Sequence, residues 1–129
     1  MKTKPKTKIK RKKAVPVDDC SSSRHAGKKK KKLTDSVILE RAAEIFRAIG
    51  DTPRLRMLER LASDECCVTE LAEEFEEEIS TISQRLRLLR RENLVKRRRD
   101  GKHFFYRLAD EHVFNLIQTV IEHANEDHR

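Results

Sequence analysis

The hydrophobic period of this sequence changes from that of a helix to that of a strand, and this change constrains the fold more than any other feature. From Leu33 to about residue 91, apolar residues recur three or four positions apart, which is the spacing of one helix face. Between residues 94 and 108 the period becomes two, and Asp100-Gly101 separates the two alternating runs. Asp-Gly is typical of a tight hairpin turn, because both residues tolerate positive φ. The sequence therefore predicts several helices followed by a two-stranded hairpin.

Capping residues divide the helical part of the chain into segments. The predicted helices begin at residues that favour helix starts. The first begins after Thr34 or Asp35, the second at Thr52-Pro53 and the third at Thr69. The fourth spans about 80–91, and the last runs from the cap Asp110 to about Glu126. A short helix, a turn and a further helix, followed by a hairpin, form the winged helix-turn-helix plan. We therefore expect a mainly α fold with a β-hairpin wing.

The net charge of +8 is unevenly distributed along the chain. Residues 1–32 carry 14 Lys and Arg against two Asp. Because they hold few apolar residues, we expect them to form a disordered lysine-rich arm, with one folded domain over 33–129. Within that domain residues 59–78 are acidic, whereas residues 85–107 hold ten bases against two acids. One strongly basic surface indicates a polyanionic partner, and double-stranded DNA is the expected one.

Several classes of protein are excluded by composition. No apolar stretch approaches the roughly 18 to 20 residues that span a bilayer, and no apolar segment follows the basic start to form a signal peptide. Three cysteines without a CxxC pair fit a reducing compartment, so we expect a cytoplasmic protein with no membrane partner. Neither a catalytic triad, paired catalytic carboxylates nor a Gly-rich phosphate loop is present, so we expect no enzymatic activity.

The helix over about 80–91 has an apolar side and a polar side. Ile79, Ile82, Leu86 and Leu89 fall on the apolar side and are predicted to face the core. The opposite side carries hydroxyl, amide and guanidinium groups, which bind base edges and phosphates in a major groove. The predicted DNA contacts of this helix are Ser80, Thr81, Ser83, Gln84 and Arg87.

The predicted hairpin concentrates positive charge near its turn. Such clustered charges repel one another unless phosphates neutralise them. The predicted wing contacts with DNA are Arg97, Arg98, Arg99 and Lys102.

The last helix has more apolar residues than one small domain needs to bury, so we expect the terminal helices to form a homodimer interface. His112, His123 and Glu126 lie at one border of its apolar stripe, and Asp110 lies at its cap. The two histidines are 11 residues apart, or about 16 Å along the axis, so one helix cannot bring them to one ion.

An antiparallel, two-fold pair of such helices places the start of one beside the end of the other. Each of two equivalent metal sites then takes Asp110 and His112 from one chain and His123 and Glu126 from its partner. Two imidazoles and two carboxylates suit tetrahedral Zn(II) or Co(II).

Taken in order, these segments resemble the ArsR/SmtB family of metalloregulatory repressors. The resemblance covers about residues 37–128, and it is carried by AIGDTPRLRMLERLA, DECCVTELAEEF and STISQRLRLLRRENLVKRRRDGKHFFYRLADEH. The four candidate metal ligands match the last-helix zinc site of the zinc-sensing branch at every position. The resemblance implies a homodimeric repressor that binds operator DNA when metal-free and releases it on binding zinc.

The sequence departs from this family at two places. The turn before the recognition helix usually resembles Gly-Val-Ser-Glu but here is Glu76-Glu77-Glu78-Ile79, so we expect this acidic turn to point away from DNA or to weaken binding. The family's second metal site uses Cys-Val-Cys on the short helix. Here Cys67 matches the first thiol and Thr69 replaces the second, which favours a buried, structural Cys67.

Two other functions fit the sequence. One is a soft-metal or thiol-redox sensor that works through Cys20, Cys66 and Cys67, and His25 is a further candidate ligand there. The other is an architectural protein that coats DNA and takes most of its affinity from the lysine-rich arm.

Overall fold

The structure, a computed structural model, describes residues 31–126. In chain order these residues form α1 (Ser36–Ile49), α2 (Thr52–Ser63), β1 (Cys66–Cys67), α3 (Val68–Phe75), α4 (Ile79–Arg91), β2 (Val95–Asp100), β3 (His103–Leu108) and α5 (Glu111–Glu126). This order confirms the predicted winged helix-turn-helix, with α3 and α4 as the helix-turn-helix and the β2–β3 hairpin as the wing. Of the predicted lysine-rich arm, residues 1–30 lie outside the described range, as do Cys20 and His25. No helix within 31–126 is long and apolar enough to cross a membrane.

Aspartates cap three of the helices at their first turns. The carboxylate of Asp35 accepts from the Val37 N–H at 2.9 Å, and that of Asp110 accepts from the Val113 N–H at 3.0 Å. The predicted cap of α2, Thr52, was wrong by one residue. Asp51 has the extended backbone of a cap (φ −142°, ψ 124°), and its carboxylate accepts from the Arg54 N–H at 3.0 Å.

The core is built from the buried sides of α2, α3, α4 and α5, with α4 packed against α3 and α2 packed against α5. The largest fully buried side chains are mostly aliphatic, and they include Met57, Leu58, Leu71, Ile82, Leu86, Leu89 and Ile117. The prediction that Ile79 also faces the core was wrong, because this residue is 54% exposed. Ile79 is the first residue of α4 and lines an open groove beside the α3–α4 turn, where no earlier helical turn covers it.

A three-stranded antiparallel sheet with strand order β1-β3-β2 supports the wing. In this sheet Cys67 pairs with Phe105 on β3, and Phe105 pairs in turn with Arg98 on β2. The hairpin turn lies one residue later than the Asp100-Gly101 pair predicted. Asp100 is the last residue of β2 and pairs with His103, so the turn is Gly101-Lys102, with Gly101 at a positive φ of 63°. The strand β1 has only two residues, which is too short to produce a hydrophobic period in the sequence. It fixes the inner edge of the wing beside the start of α3.

Candidate nucleic-acid interface and metal ligands

The exposed side of α4 carries the polar groups that the sequence predicted there. Ser80, Ser83, Gln84 and Arg87 are exposed, and Thr81 is half-buried. Because α4 buries its opposite side in the core, these groups stand on a rigid element. Their hydroxyl, amide and guanidinium groups are able to donate to base edges and phosphate oxygens.

A basic groove of about 420 Å³ separates α4 from the wing. Arginines reach it from both sides, Arg87 and Arg90 from α4 and Arg97 from β2, and Ser83 lines it beside them. Within residues 31–126 none of these three arginines forms an ion pair with a carboxylate. Their guanidinium groups are therefore open to an external anion, and phosphate oxygens match the planar donors of guanidinium.

Arg90 is a groove residue that sequence analysis missed. It is half-buried and lies three residues after Arg87, so α4 carries both side chains toward the wing. A helical periodicity predicts only which residues of a helix face away from the core. The position of the wing, which decides that Arg90 lines the groove, depends on tertiary packing.

The wing holds two of its arginines against one aromatic ring. The guanidinium carbons of Arg97 and Arg99 lie 4.6 and 5.9 Å from the centre of the Phe104 ring. The Arg99 Nε also donates to the Gly101 carbonyl at 3.1 Å, and Lys102 is exposed beside this turn. The ring and the carbonyl restrict these long side chains, so less conformational entropy is lost when they bind an anion.

Arg98 has different surroundings from its two neighbours. Its Nε donates to both carboxylate oxygens of Glu65, at 3.1 and 3.0 Å, and its Nη2 donates to Glu65 Oε1. The guanidinium also lies 4.8 Å from the centre of the Phe105 ring. The hydrogen bond with Arg98 lowers the pKa of Glu65 and raises that of Arg98. The structure thus keeps Arg98 apart from the residues that line the basic groove.

One of the three acids in the α3–α4 turn is neutralised. Glu77 Oε1 lies 2.9 Å from Nη1 of Arg85, which is on α4. Glu76 ends α3 with a left-handed backbone (φ 52°), and Glu78 is exposed at the start of α4. This turn therefore keeps two exposed carboxylates, Glu76 and Glu78, beside the exposed face of α4.

Two of the four candidate metal ligands lie together at the start of α5. His112 Nδ1 is 3.8 Å from Asp110 Oδ1, and 98% of the His112 side chain is exposed. The same carboxylate caps the helix through the Val113 N–H, which fixes its orientation. An imidazole and a carboxylate are thus both accessible from outside the domain.

The other two candidate ligands lie at the far end of α5. His123 and Glu126 are exposed and stand one helical turn apart. Within residues 31–126 of one chain, no group of three or more His, Cys, Asp or Glu side chains is placed to hold a metal ion. A single chain therefore presents two incomplete ligand pairs, one at each end of α5, with the donor chemistry that zinc accepts.

The two cysteines beside the sheet have the properties of structural residues. Cys66 is fully buried and Cys67 nearly so, and their Sγ atoms lie 3.4 and 3.3 Å from the carboxylate oxygens of Glu70. Burial, with the Glu70 contact as a second cause, raises the pKa of Cys66 to about 12. A thiol is reactive and binds soft metals as the thiolate, so this environment disfavours a sensor based on Cys66.

The sequence is similar to known bacterial regulators. The family model of the bacterial regulatory protein arsR family matches residues 51–97. A transcriptional repressor SmtB homolog from Synechocystis is 44% identical over 87 residues, which are 67% of this chain and 66% of that protein. The cadmium resistance transcriptional regulatory protein CadC homolog of Staphylococcus aureus is 35% identical over 85 residues, which are 65% of this chain and 70% of that protein. The chain thus spans just under two thirds of the length of the SmtB homolog.

The fold is similar to that of a solved bacterial DNA-binding domain. The homodimeric winged helix-turn-helix domain from Mycobacterium bovis superposes with a TM-score of 0.71 at 30% identity. The superposition covers 77% of this chain and 94% of that one. The matched proteins are transcriptional regulators, not enzymes, which confirms that prediction.

Proposed function

Because this chain belongs to the ArsR family of bacterial regulatory proteins, we propose that it is a homodimeric repressor that binds operator DNA and releases it when zinc binds between the two subunits. The observation that carries the DNA-binding part is the basic groove between α4 and the wing. It joins Arg87 and Arg90 to Arg97 on a single surface, beside the exposed Ser83 and Gln84. In this proposal α4 enters the major groove and reads bases, while the wing contacts phosphates.

The terminal helices of the domain supply the dimer interface in this proposal. On α1, Val37, Ile38 and Phe46 are each more than half exposed, at 61%, 58% and 59%. On α5, Phe114 and Val120 are each 39% exposed. Large apolar side chains grouped on two helices indicate a surface that a second protein covers, and a second copy of this chain supports the two-fold symmetry of a palindromic operator.

Zinc is the proposed effector because of the donors on α5. Asp110 and His112 of one subunit, with His123 and Glu126 of the other, supply two imidazoles and two carboxylates, the number and kind that zinc binds tetrahedrally. Co(II) fits the same set. The CadC homolog of Staphylococcus aureus is named for cadmium resistance, which supports a metal effector of the same divalent class.

An intersubunit site acts on DNA through the arrangement of the dimer. Each α4 belongs to one subunit, so the two helices reach successive major grooves, about 34 Å apart, in only some arrangements of the subunits. Bound zinc links the start of one α5 to the end of its partner. An ion that binds more tightly to a different arrangement of the subunits weakens DNA binding. The size of this effect is set by the ratio of the ion's affinities for the two arrangements, which for typical couplings is about 5- to 150-fold.

A complementation experiment tests whether the site is shared between subunits. The homodimers of His112→Ala and His123→Ala each lose both sites. A heterodimer of the two variants keeps one intact site, because both substitutions fall in the same one of its two sites. We expect equilibrium dialysis to find about two tightly bound zinc ions per wild-type dimer and almost none for either variant. After subunit exchange of an equal mixture, about half an ion per dimer is expected.

A matched mixture provides the control. His112→Ala and Asp110→Ala alter the same half of the site, so no exchange of subunits between them restores an intact one. Zinc binding that stays at wild-type level in the His112→Ala homodimer, or that fails to recover in the first mixture after proven exchange, would overturn the proposed site.

A further inference from the structure

The ion pair between Glu65 and Arg98 spans the whole sheet of the wing. Glu65 immediately precedes β1, and Arg98 lies on β2, the strand farthest from β1 in the order β1-β3-β2. The Arg98 side chain crosses β3 over the Phe105 ring, 4.8 Å from its centre, before it meets the carboxylate. The pair therefore connects the outer strand of the wing to the chain segment at its inner edge.

This segment at the inner edge is firmly held. Cys66, the residue after Glu65, is fully buried and pairs with Tyr106 on β3. Arg98 also lies 3.8 Å from Asp100, near the hairpin turn. Side chains alternate between the two faces of a strand, so Arg98 is on the face opposite to Arg97 and Arg99. A guanidinium that binds both carboxylate oxygens is fixed in direction as well as in distance.

We propose that Glu65 and Arg98 are positioning residues that hold the wing at the angle at which Arg97 meets the DNA backbone. This inference rests on the proposed DNA binding and assigns to Arg98 a role other than the phosphate contact that its charge predicts. Removing Glu65 and removing Arg98 then have the same effect, because either change breaks the same pair. Simple electrostatics predicts opposite effects, since loss of an acid near DNA strengthens binding.

The first test compares salt-dependent DNA binding of single variants of the full chain. The probes are a random-sequence duplex and a duplex enriched from a random library with the wild-type protein. We expect Glu65→Gln and Arg98→Ala each to weaken binding about three- to tenfold, because each exposed pair contributes modestly and a dimer has two wings. In both variants the wing still makes its phosphate contact once bound and only the cost of ordering it rises, so the slope of log K against log salt stays at the wild-type value. Arg97→Ala lowers the slope by about 0.9 per lost contact. Glu59→Gln, which removes an exposed acid elsewhere, leaves the affinity unchanged or slightly raised.

A charge swap adds a result that the positioning role requires. The double variant that combines Glu65→Arg with Arg98→Glu restores the ion pair with its two charges exchanged. We expect its affinity for DNA to be severalfold higher than that of Arg98→Glu alone. Tighter or unchanged binding by Glu65→Gln would overturn the inference. So would a reduced salt slope for Arg98→Ala, or a swap that binds no better than the single Arg98→Glu variant.

Hydrogen exchange on the DNA-free protein tests the pair without reference to function. We expect backbone amides of the β2–β3 hairpin to exchange several times faster in Glu65→Gln, while those of α4 keep wild-type rates. Unchanged exchange in the hairpin would refute the positioning role even if the protein binds DNA as proposed. The converse result is faster hairpin exchange in Glu65→Gln together with a wild-type protein that binds neither duplex. That result would refute the proposed function and leave the structural role of the pair intact.

Discussion

Neighbouring arginines in the wing differ in surroundings because successive side chains of a strand point to opposite faces. Arg97 and Arg99 lie by the Phe104 ring, and Arg97 lines the groove beside α4. Arg98, between them, is bound to Glu65 on the other face. Three residues with identical charge therefore have two kinds of surroundings, and within residues 31–126 only Arg98 of the three is paired with a carboxylate.

Base recognition and phosphate contact are separable at the level of single residues. Gln84→Ala is expected to lower the preference for the selected duplex by about 1–3 kcal/mol while leaving affinity for random DNA nearly unchanged, because in the proposed complex the exposed Gln84 amide reads a base edge. Arg97→Ala is expected to weaken both duplexes equally, because phosphates carry no sequence information. Fluorescence anisotropy titrations with both duplexes measure these effects. Equal losses on both duplexes for Gln84→Ala would contradict the assignment of α4 as the reading helix.

The buried thiol of Cys66 gives a prediction about pH. With its pKa raised from 9.0 to about 12, its thiolate fraction at pH 8 is about a thousandfold below that of an unperturbed thiol. We expect iodoacetamide to modify Cys66 of the folded protein about a thousandfold more slowly than that of the urea-unfolded protein, as followed by peptide mass spectrometry. Because folding raises this pKa, the contribution of the protonated thiol to stability is complete below about pH 9 and is lost as pH rises toward about 12. Rapid modification of native Cys66 at pH 8 would revive the thiol-sensor hypothesis.

At the scale of elements, α1 and α5 differ from the other helices in how little of their apolar surface the domain covers. The helices α2 and α4 each bury three aliphatic side chains, whereas α1 buries only Ala48 and Ile49 near its end. An amphipathic helix that is exposed on its apolar side gains stability when a second helix covers it. The two helices thus have the pattern expected of subunit contacts.

This pattern predicts the effect of a charge on α1. Phe46 is 59% exposed in the single chain, so Phe46→Lys should leave the fold of the subunit intact. Burial of one large apolar side chain contributes about 1.5–3 kcal/mol, and a two-fold interface buries two, so the dissociation constant is expected to rise at least about a hundredfold. Sedimentation equilibrium measures the change, with Ile79→Lys, which alters a similarly exposed apolar residue on α4, as the control. A Phe46→Lys dimer as stable as the wild type would place the interface elsewhere.

Elements with a clear period were predictable from the sequence, and those fixed by tertiary contacts were not. The stripe of Ile82, Leu86 and Leu89 specifies α4 locally, and Gly101 specifies the hairpin turn to within one residue. The two-residue strand β1 forms only because β3 lies beside it. The pairing of Arg98 with Glu65 joins residues 33 positions apart, and no local pattern of charge indicates it.

At the scale of the whole molecule, the two candidate ligand pairs and the proposed DNA-binding surface are on different elements. Asp110 and His112 lie at one end of α5 and His123 and Glu126 at the other, while the basic groove is formed by α4 and the wing. The sequence predicted each pair by its spacing. In the proposal, the two pairs bind one ion only when they come from two different subunits, so the complete site exists only in the dimer. Communication between zinc and DNA in this account is a change in how two rigid subunits are arranged.

The reciprocal effect of zinc and DNA on each other tests this account most directly. Affinity of the dimer for the selected duplex is measured with and without saturating zinc, and zinc affinity is measured with and without the duplex. We predict that zinc weakens DNA binding by a factor of about 5 to 150, that DNA weakens zinc binding by the same factor, and that His123→Ala binds DNA normally but shows no zinc effect. Zinc-induced release of DNA by His123→Ala, at the zinc concentrations that act on the wild type, would contradict the claim that α5 holds the sensor.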